Sequence, residues 1–187
     1  MNNINIKKVI FIVIAIIAII AVCISIFMFN HKKDNTEKYA TLTSTDNKFS
    51  IQIPNNIKYK VNSVPNNDFT IDLYSDTDEM FMYATTIEKA RELDLYEVVN
   101  DDKTSYFKDK ENIRDDTGIT KTKINGFDAY EYSLVYYDAN YTKDFYCHVV
   151  WIETSNNVYV FNFEVKNENS DKYKDIFINI QNSFKEL

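Results

Sequence analysis

From Val9 to Phe29 the chain runs for 21 residues without a charged side chain, dominated by Ile, Val, Phe and Ala, with only Cys23 and Ser25 mildly polar. An α-helix rises about 1.5 Å per residue, so roughly 20 apolar residues span a ~30 Å hydrocarbon core. The run is expected to form one transmembrane helix over residues 9–29. A cleaved signal peptide is the competing reading, but its apolar region is typically about 7–15 residues long and closes on a small-residue site. This run ends Ile26-Phe27-Met28-Phe29-Asn30 with no such site, and Cys23 follows Val22 rather than the small residue of a lipoprotein signal.

Orientation rests on slight charge bias, because Lys7 and Lys8 face Lys32 and Lys33 across the run. A short head (1–8) and a long polar tail favour a cytoplasmic N-terminus, with a tether over 30–39 and a single exported domain over 40–187. All 28 acidic residues lie after position 33, against 17 of the 21 basic ones, so that part carries a formal charge of −11. Such a body does not adhere to anionic lipid, and the bilayer contact is expected through the N-terminal helix alone. The whole-chain charge of −7 argues against a nucleic-acid partner, since phosphate binding rests on clustered Lys and Arg.

The chain has two glycines (Gly118, Gly126), two histidines (His31, His148) and two cysteines (Cys23, Cys147). A dinucleotide fingerprint or a phosphate-cradling P-loop needs more glycines at closer spacing, and the familiar zinc spacings need more His and Cys. No cofactor, metal or catalytic residue is expected from these motifs. A lone exported Cys147 is most natural in a bacterium that uses few disulfides.

Within the exported part, Phe49-Ser50-Ile51-Gln52-Ile53 alternates apolar and polar and stops at Pro54, as a strand does. Phe69 to Leu73 repeats the pattern, and Met80 to Ile87 follows a turn through Asp76 to Glu79, which predicts a hairpin. Leu95, Val98, Val99, Asp102 and Tyr106 fall at helical spacing behind Asp94 and Glu97, a capping-box pair. Asn125-Gly126 is a strong hairpin signal between strands Ile119–Ile124 and Phe127–Tyr137. Strands over Lys143–Thr154 and Val158–Val165 complete a meander. A helix is expected from Ser170, as N-cap, to Lys185, with Tyr173, Ile176, Phe177, Ile180 and Phe184 as its apolar stripe. The class is α+β: an antiparallel sheet with one face partly solvated and helices on the other.

The order of these pieces resembles the PsbP-like family. The carrying residues are Phe49-Ser50-Ile51-Gln52-Ile53-Pro54, then Asn125-Gly126-Phe127-Asp128-Ala129-Tyr130, then Ile176 to Ser183-Phe184-Lys185. The resemblance covers nearly all of 40–187. One departure is that Asn55, Asn56 and Ile57 stand where an aromatic residue commonly follows the first Pro. The resemblance implies an α/β sandwich, an antiparallel sheet with flanking helices, acting as a non-catalytic binding or assembly module. It carries over no catalytic residue.

Cys147-His148 reads as a nucleophile and base, but adjacent strand residues point to opposite faces and cannot form a dyad. Cys147 shares a face with Phe145, Val149 and Trp151 and is expected to pack as a small hydrophobe. His148 would need a Ser and an acid from elsewhere to act as a base. Asp72, Asp76, Asp78 and Glu79 cluster about a turn; solvated turn charge is the plainer reading, weak calcium binding the other. Tyr136, Tyr137, Tyr141 and Tyr146 gather around one predicted hairpin, where all four cannot face inward. They form the candidate partner surface, set against the plainer reading that β-propensity favours Tyr in strands.

The expected function is a membrane-anchored, extracytoplasmic module that binds a protein or cell-envelope partner without catalysis. A carboxylate-dependent envelope hydrolase is the alternative from another class, and a membrane-tethered immunity or stress protein a third. The binding module expects a shallow aromatic patch; the hydrolase expects two acids facing each other in a deep cleft.

Overall fold

The computed structural model describes residues 39–61, 69–77, 79–89 and 94–187. The expected transmembrane helix, the head and all of the tether but Tyr39 lie outside the described residues. Among the described residues no helix is long and apolar enough to cross a membrane.

In chain order the elements are β1 (Tyr39–Thr43), β2 (Phe49–Pro54), β3 (Lys60–Val61), β4 (Ile71–Ser75), β5 (Met80–Glu88), α1 (Leu95–Phe107), β6 (Glu111–Arg114) and β7 (Thr120–Ile124). There follow β8 (Phe127–Asp138), β9 (Lys143–Glu153), β10 (Asn157–Lys166), a 3-10 turn (Asn167–Asn169), α2 (Ser170–Asn182) and β11 (Lys185–Glu186). The large sheet has the order β3-β4-β5-β10-β9-β8-β6, and β7 also pairs with β8. A small sheet has the order β1-β2-β11. Every ladder is antiparallel.

The β7-β8-β9-β10 meander and the β4-β5 hairpin stand where the alternation predicts them. At the first meander turn Asn125 and Gly126 have φ of +50° and +90°, the pair of positive angles that a two-residue hairpin turn demands. The meander then closes on β5, far back in the chain, through nine register pairs from Asn157↔Glu88 to Val165↔Met80. That pairing places β10 in the middle of the sheet, which is why its residues are buried on both faces.

The two faces have separate cores. On one, Tyr159, Phe161, Phe163 and Val165 of β10 meet Tyr173, Phe177 and Ile180 of α2 and Phe49, Ile51 and Ile53 of β2. On the other, Tyr132, Leu134, Tyr136, Phe145, Cys147, Val149 and Trp151 meet Leu95, Val99 and Phe107 of α1. This corrects the expectation of a partly solvated face with both helices opposite: each helix takes its own face, because both faces of β8–β10 are apolar and each must be covered. Ile57, where the aromatic was missing after Pro54, is buried in the first core.

Helix α1 begins as predicted, with Asp94 accepting hydrogen bonds from the Tyr96 and Glu97 backbone N–H groups. Helix α2 differs. Its N-cap is Asn169, without a side-chain cap, so Ser170 is the first helical residue instead of the cap. It ends at Asn182, three residues short of Lys185, because the Ser183 hydroxyl turns back to the Ile180 carbonyl and accepts the Gln52 N–H. The chain then extends along β2 as β11. Phe184 still fills the core, packed among the rings of Phe49, Tyr159, Phe161 and Phe127, but from beyond the helix.

Candidate functional site

At the C-terminal end of α1 the second core stops short of closing and leaves a cavity of about 220 Å³. Its walls come from β4 and β5 (Asp72, Phe81, Tyr83), from α1 and the segment after it (Tyr106, Lys110), from β8 to β9 (Tyr136, Asp138, Tyr141, Phe145) and from β10 (Glu164). Strand alternation explains the acid. Val158, Val160, Asn162 and Glu164 share the α1-facing side of β10, so Glu164 enters the sheet's middle at 8% exposure.

A carboxylate there must be hydrogen-bonded. Tyr106 Oη donates to Glu164 Oε1 at 2.8 Å and Tyr136 Oη to Oε2 at 3.1 Å. The chain of contacts continues: Tyr83 Oη donates to Tyr106 Oη at 3.1 Å, Asn162 Nδ2 donates to Tyr83, and Cys147 Sγ lies 3.5 Å from Asn162 Oδ1. Burial raises the Glu164 carboxyl above its ordinary value, against the opposing pull of the two phenols and Lys110. Burial first, then the Glu164 charge, push the phenols of Tyr83, Tyr106 and Tyr136 upward. At the rim, Lys110 Nζ is 2.5 Å from Asp138 Oδ2 and lies 4.8 Å from the centre of the Tyr136 ring. Its hydrogen bond holds the Asp138 carboxyl below the usual range.

Only two of the four candidate surface tyrosines come together here. Tyr136 is buried in the wall, and Tyr141, 52% exposed, folds against Phe81 and Phe145 at the mouth. Tyr137 and Tyr146 lie on the opposite face of the sheet, as their positions beside Tyr136 and Phe145 require. Tyr146 there donates to Ser133 Oγ at 3.1 Å. The structure therefore divides the four between two faces. Tyr83, Tyr106 and Glu164 were missed by sequence reasoning; an acid inside the apolar run of β10 was the signal for the last.

Cys147 is free and fully buried, and burial raises its thiol well above the ordinary value, which makes it an inert packing group. His148 does find a serine: its Nδ1 is 2.8 Å from Ser133 Oγ, and its Nε2 is 2.6 Å from Gln181 Oε1, whose amide donates to Glu131 at 3.0 Å. Burial lowers the His148 pKa. This network ties α2 to β8 and β9. Of the turn acids, Asp76 pairs with Lys60, Glu79 with Lys143 and Lys166, and Asp72 lines the cavity, so they diverge; Asp78 lies outside the described residues.

These elements make the protein an antiparallel α+β sandwich with an aromatic, acid-floored cavity beneath α1. No family model matches the chain, and no curated protein matches it in sequence. Solved structures match its fold. The solution structure of cyanobacterial PsbP (CyanoP) from Synechocystis has a TM-score of 0.59 at 9% identity, over 83% of this chain and 96% of that one. The crystal structure of LpqN, described as involved in cell envelope biogenesis of Mycobacterium tuberculosis, has a TM-score of 0.57 at 11% identity, over 83% and 94%. A Bacteroides thetaiotaomicron structure has a TM-score of 0.56 at 11% identity, over 81% of this chain and 49% of its own. The fold is PsbP-like, as the motifs at Phe49–Pro54, Asn125–Tyr130 and Ile176–Lys185 imply.

Proposed function

We propose that this protein is a membrane-anchored, extracytoplasmic binding or assembly module without catalysis, held in the bilayer by residues 9–29 and presenting its PsbP-like domain to a protein or cell-envelope partner. The observation that carries this reading is the locked chemistry of the cavity. Both Glu164 oxygens accept phenol hydrogen bonds, and Asp138 accepts from Lys110 and from the Asn140 N–H, so the polar groups are arranged among themselves. Such an arrangement suits a pre-shaped binding surface. The fold shared with LpqN supports an envelope setting.

Protease treatment of intact cells tests the topology. The domain is expected to be digested from outside while the full-length mass is recovered from untreated membranes. Protection until the cells are opened, or a mass lacking the first ~30 residues, would overturn the anchored arrangement. Cross-linking through lysines near the cavity, read by mass spectrometry, is expected to capture an envelope component.

A carboxylate-dependent hydrolase is the second reading, and one observation favours it. Glu164 is pushed up and Asp138 held down within the same cavity, the separation that assigns an acid and a base. Hydrolysis of a panel of glycosides and esters that Glu164→Gln and Asp138→Asn each abolish would replace the first reading with this one.

A further inference from the structure

The cavity beneath α1 contains its own indication of what it accepts. Lys110 Nζ lies 4.8 Å from the centre of the Tyr136 ring and 6.0 Å from that of Tyr106, while bonded to Asp138. An ammonium within about 6 Å of an aromatic centroid is attracted by the ring quadrupole. The lining therefore already stabilises one organic cation at its rim. Three carboxylates, Asp72, Asp138 and Glu164, stand in it against the single ammonium of Lys110, and six of its ten lining residues are aromatic. Anions are disfavoured by that balance.

Hydrogen-bond capacity narrows the cation further. A primary ammonium brings three donors and needs an acceptor for each when buried. Each oxygen of Glu164 already accepts one hydrogen bond, from Tyr106 or Tyr136, and each oxygen of Asp138 one, from Lys110 or Asn140, so half of the acceptor capacity of these two carboxylates is committed. A polyol would have to share the same partly committed oxygens. A fully methylated ammonium asks for no acceptor at all; it needs negative potential and aromatic walls. The remaining volume of about 220 Å³ equals the liquid share of about seven waters at ~30 Å³ each, room for a trimethylammonium group with a two-carbon arm. Tyr141, half out in solvent against Phe81 and Phe145, stands where such a group would enter.

We propose that this cavity binds a small quaternary ammonium group, with Tyr83, Tyr106, Tyr136 and Tyr141 as its aromatic walls and Glu164 and Asp72 as its counter-charges. The same chemistry occurs on a free solute and on a phosphocholine headgroup. The proposal rests on the binding reading above and is independent of how the chain sits in the membrane.

The test is calorimetric titration of the full-length protein in maltoside micelles with choline, with glycerophosphocholine, and with 3,3-dimethylbutan-1-ol, the uncharged isostere of choline. Choline or glycerophosphocholine is expected to bind at least about tenfold more tightly than the isostere. Tighter choline identifies a free solute as the source, and tighter glycerophosphocholine a headgroup. Glu164→Gln and Tyr141→Ala are each expected to weaken binding of the cation by about tenfold or more; the exposed position of Tyr141 keeps the test valid if the Glu164 variant fails to fold. Equal affinity for the isostere, no heat with any cation, or unchanged binding in Tyr141→Ala would overturn the proposal. The protease and cross-linking results above stand apart from these, so either reading fails alone.

Discussion

The Tyr106 phenol on α1 donates a 2.8 Å hydrogen bond to Glu164 Oε1 on β10, and this contact fastens the last turn of the helix to the middle of the sheet. Glu164 is buried, so water does not replace a hydrogen bond lost there and the bond is expensive to remove. Tyr106→Phe keeps the ring packing on Phe107 but leaves Oε1 without that donor. A loss of about 1–3 kcal/mol in urea unfolding is expected. In a double-mutant cycle with Tyr136→Phe the two losses should exceed additivity, since both phenols serve one carboxylate.

Glu164 also sets a pH dependence with a definite sign. Burial raises its folded pKa above the ordinary 4.5, so the folded chain holds this proton more tightly than the unfolded chain does. Stability from this group is greatest below 4.5 and falls as pH climbs through the raised value. In Glu164→Gln that downward slope is expected to vanish, and the variant should gain on the parent as pH rises. Melting temperatures of the two proteins across the range from acid to about pH 8 check it; a constant difference would contradict the assignment.

His148 has the opposite sign. Burial depresses its folded pKa below 6.5, so its neutral form, linking Ser133 to Gln181, is fully favourable above 6.5 and is lost as pH falls through the depressed value. Gln181, itself buried, bridges His148 and Glu131. Gln181→Ala should therefore cost about 1–3 kcal/mol near neutral pH by leaving the buried His148 Nε2 without its partner. Hydrogen exchange should show the loss first in α2, which this network holds against β9.

What could be read in the sequence follows from how local each signal is. The alternation through residues 119–165 placed β7 to β10 and their faces, and Asp94 with the Leu95-Val98-Val99 spacing placed α1. Strands β1, β3, β6 and β11 were not legible, because their pairing is decided by partners. β6 is exposed at every residue and exists only through Glu111↔Tyr137 and Arg114↔Val135 on β8. The end of α2 was misplaced because Phe184 continues the helical stripe at i+11, yet reaches the same core from an extended segment. At the cavity, Tyr136 and Tyr141 belong to a visible aromatic cluster. Tyr83, Tyr106 and Glu164 meet only through the β5-β10 crossover and the docking of α1, which no local pattern encodes.

Asn125 joins the β7-β8 turn to the end of α2. Its φ of +50° belongs to the β7-β8 turn, while its side-chain Nδ2 donates to the Phe184 carbonyl at 2.6 Å and the Asn182 carbonyl at 3.0 Å, closing the end of α2. The two roles separate by substitution. Asn125→Gly keeps the positive φ at no steric cost but loses both hydrogen bonds, an expected loss of about 1–2 kcal/mol. Asn125→Ala loses the bonds and adds left-handed strain of about 1–2 kcal/mol, so it should be the less stable of the pair. Both variants should speed amide exchange at Leu187, whose N–H donates to the Lys48 carbonyl at 2.9 Å, because β11 is held from that same end. Faster exchange at Leu187 in Asn125→Gly with β7-β8 amides unchanged assigns the side chain to the helix end; slowed exchange, or loss confined to the turn, would assign it to the hairpin alone.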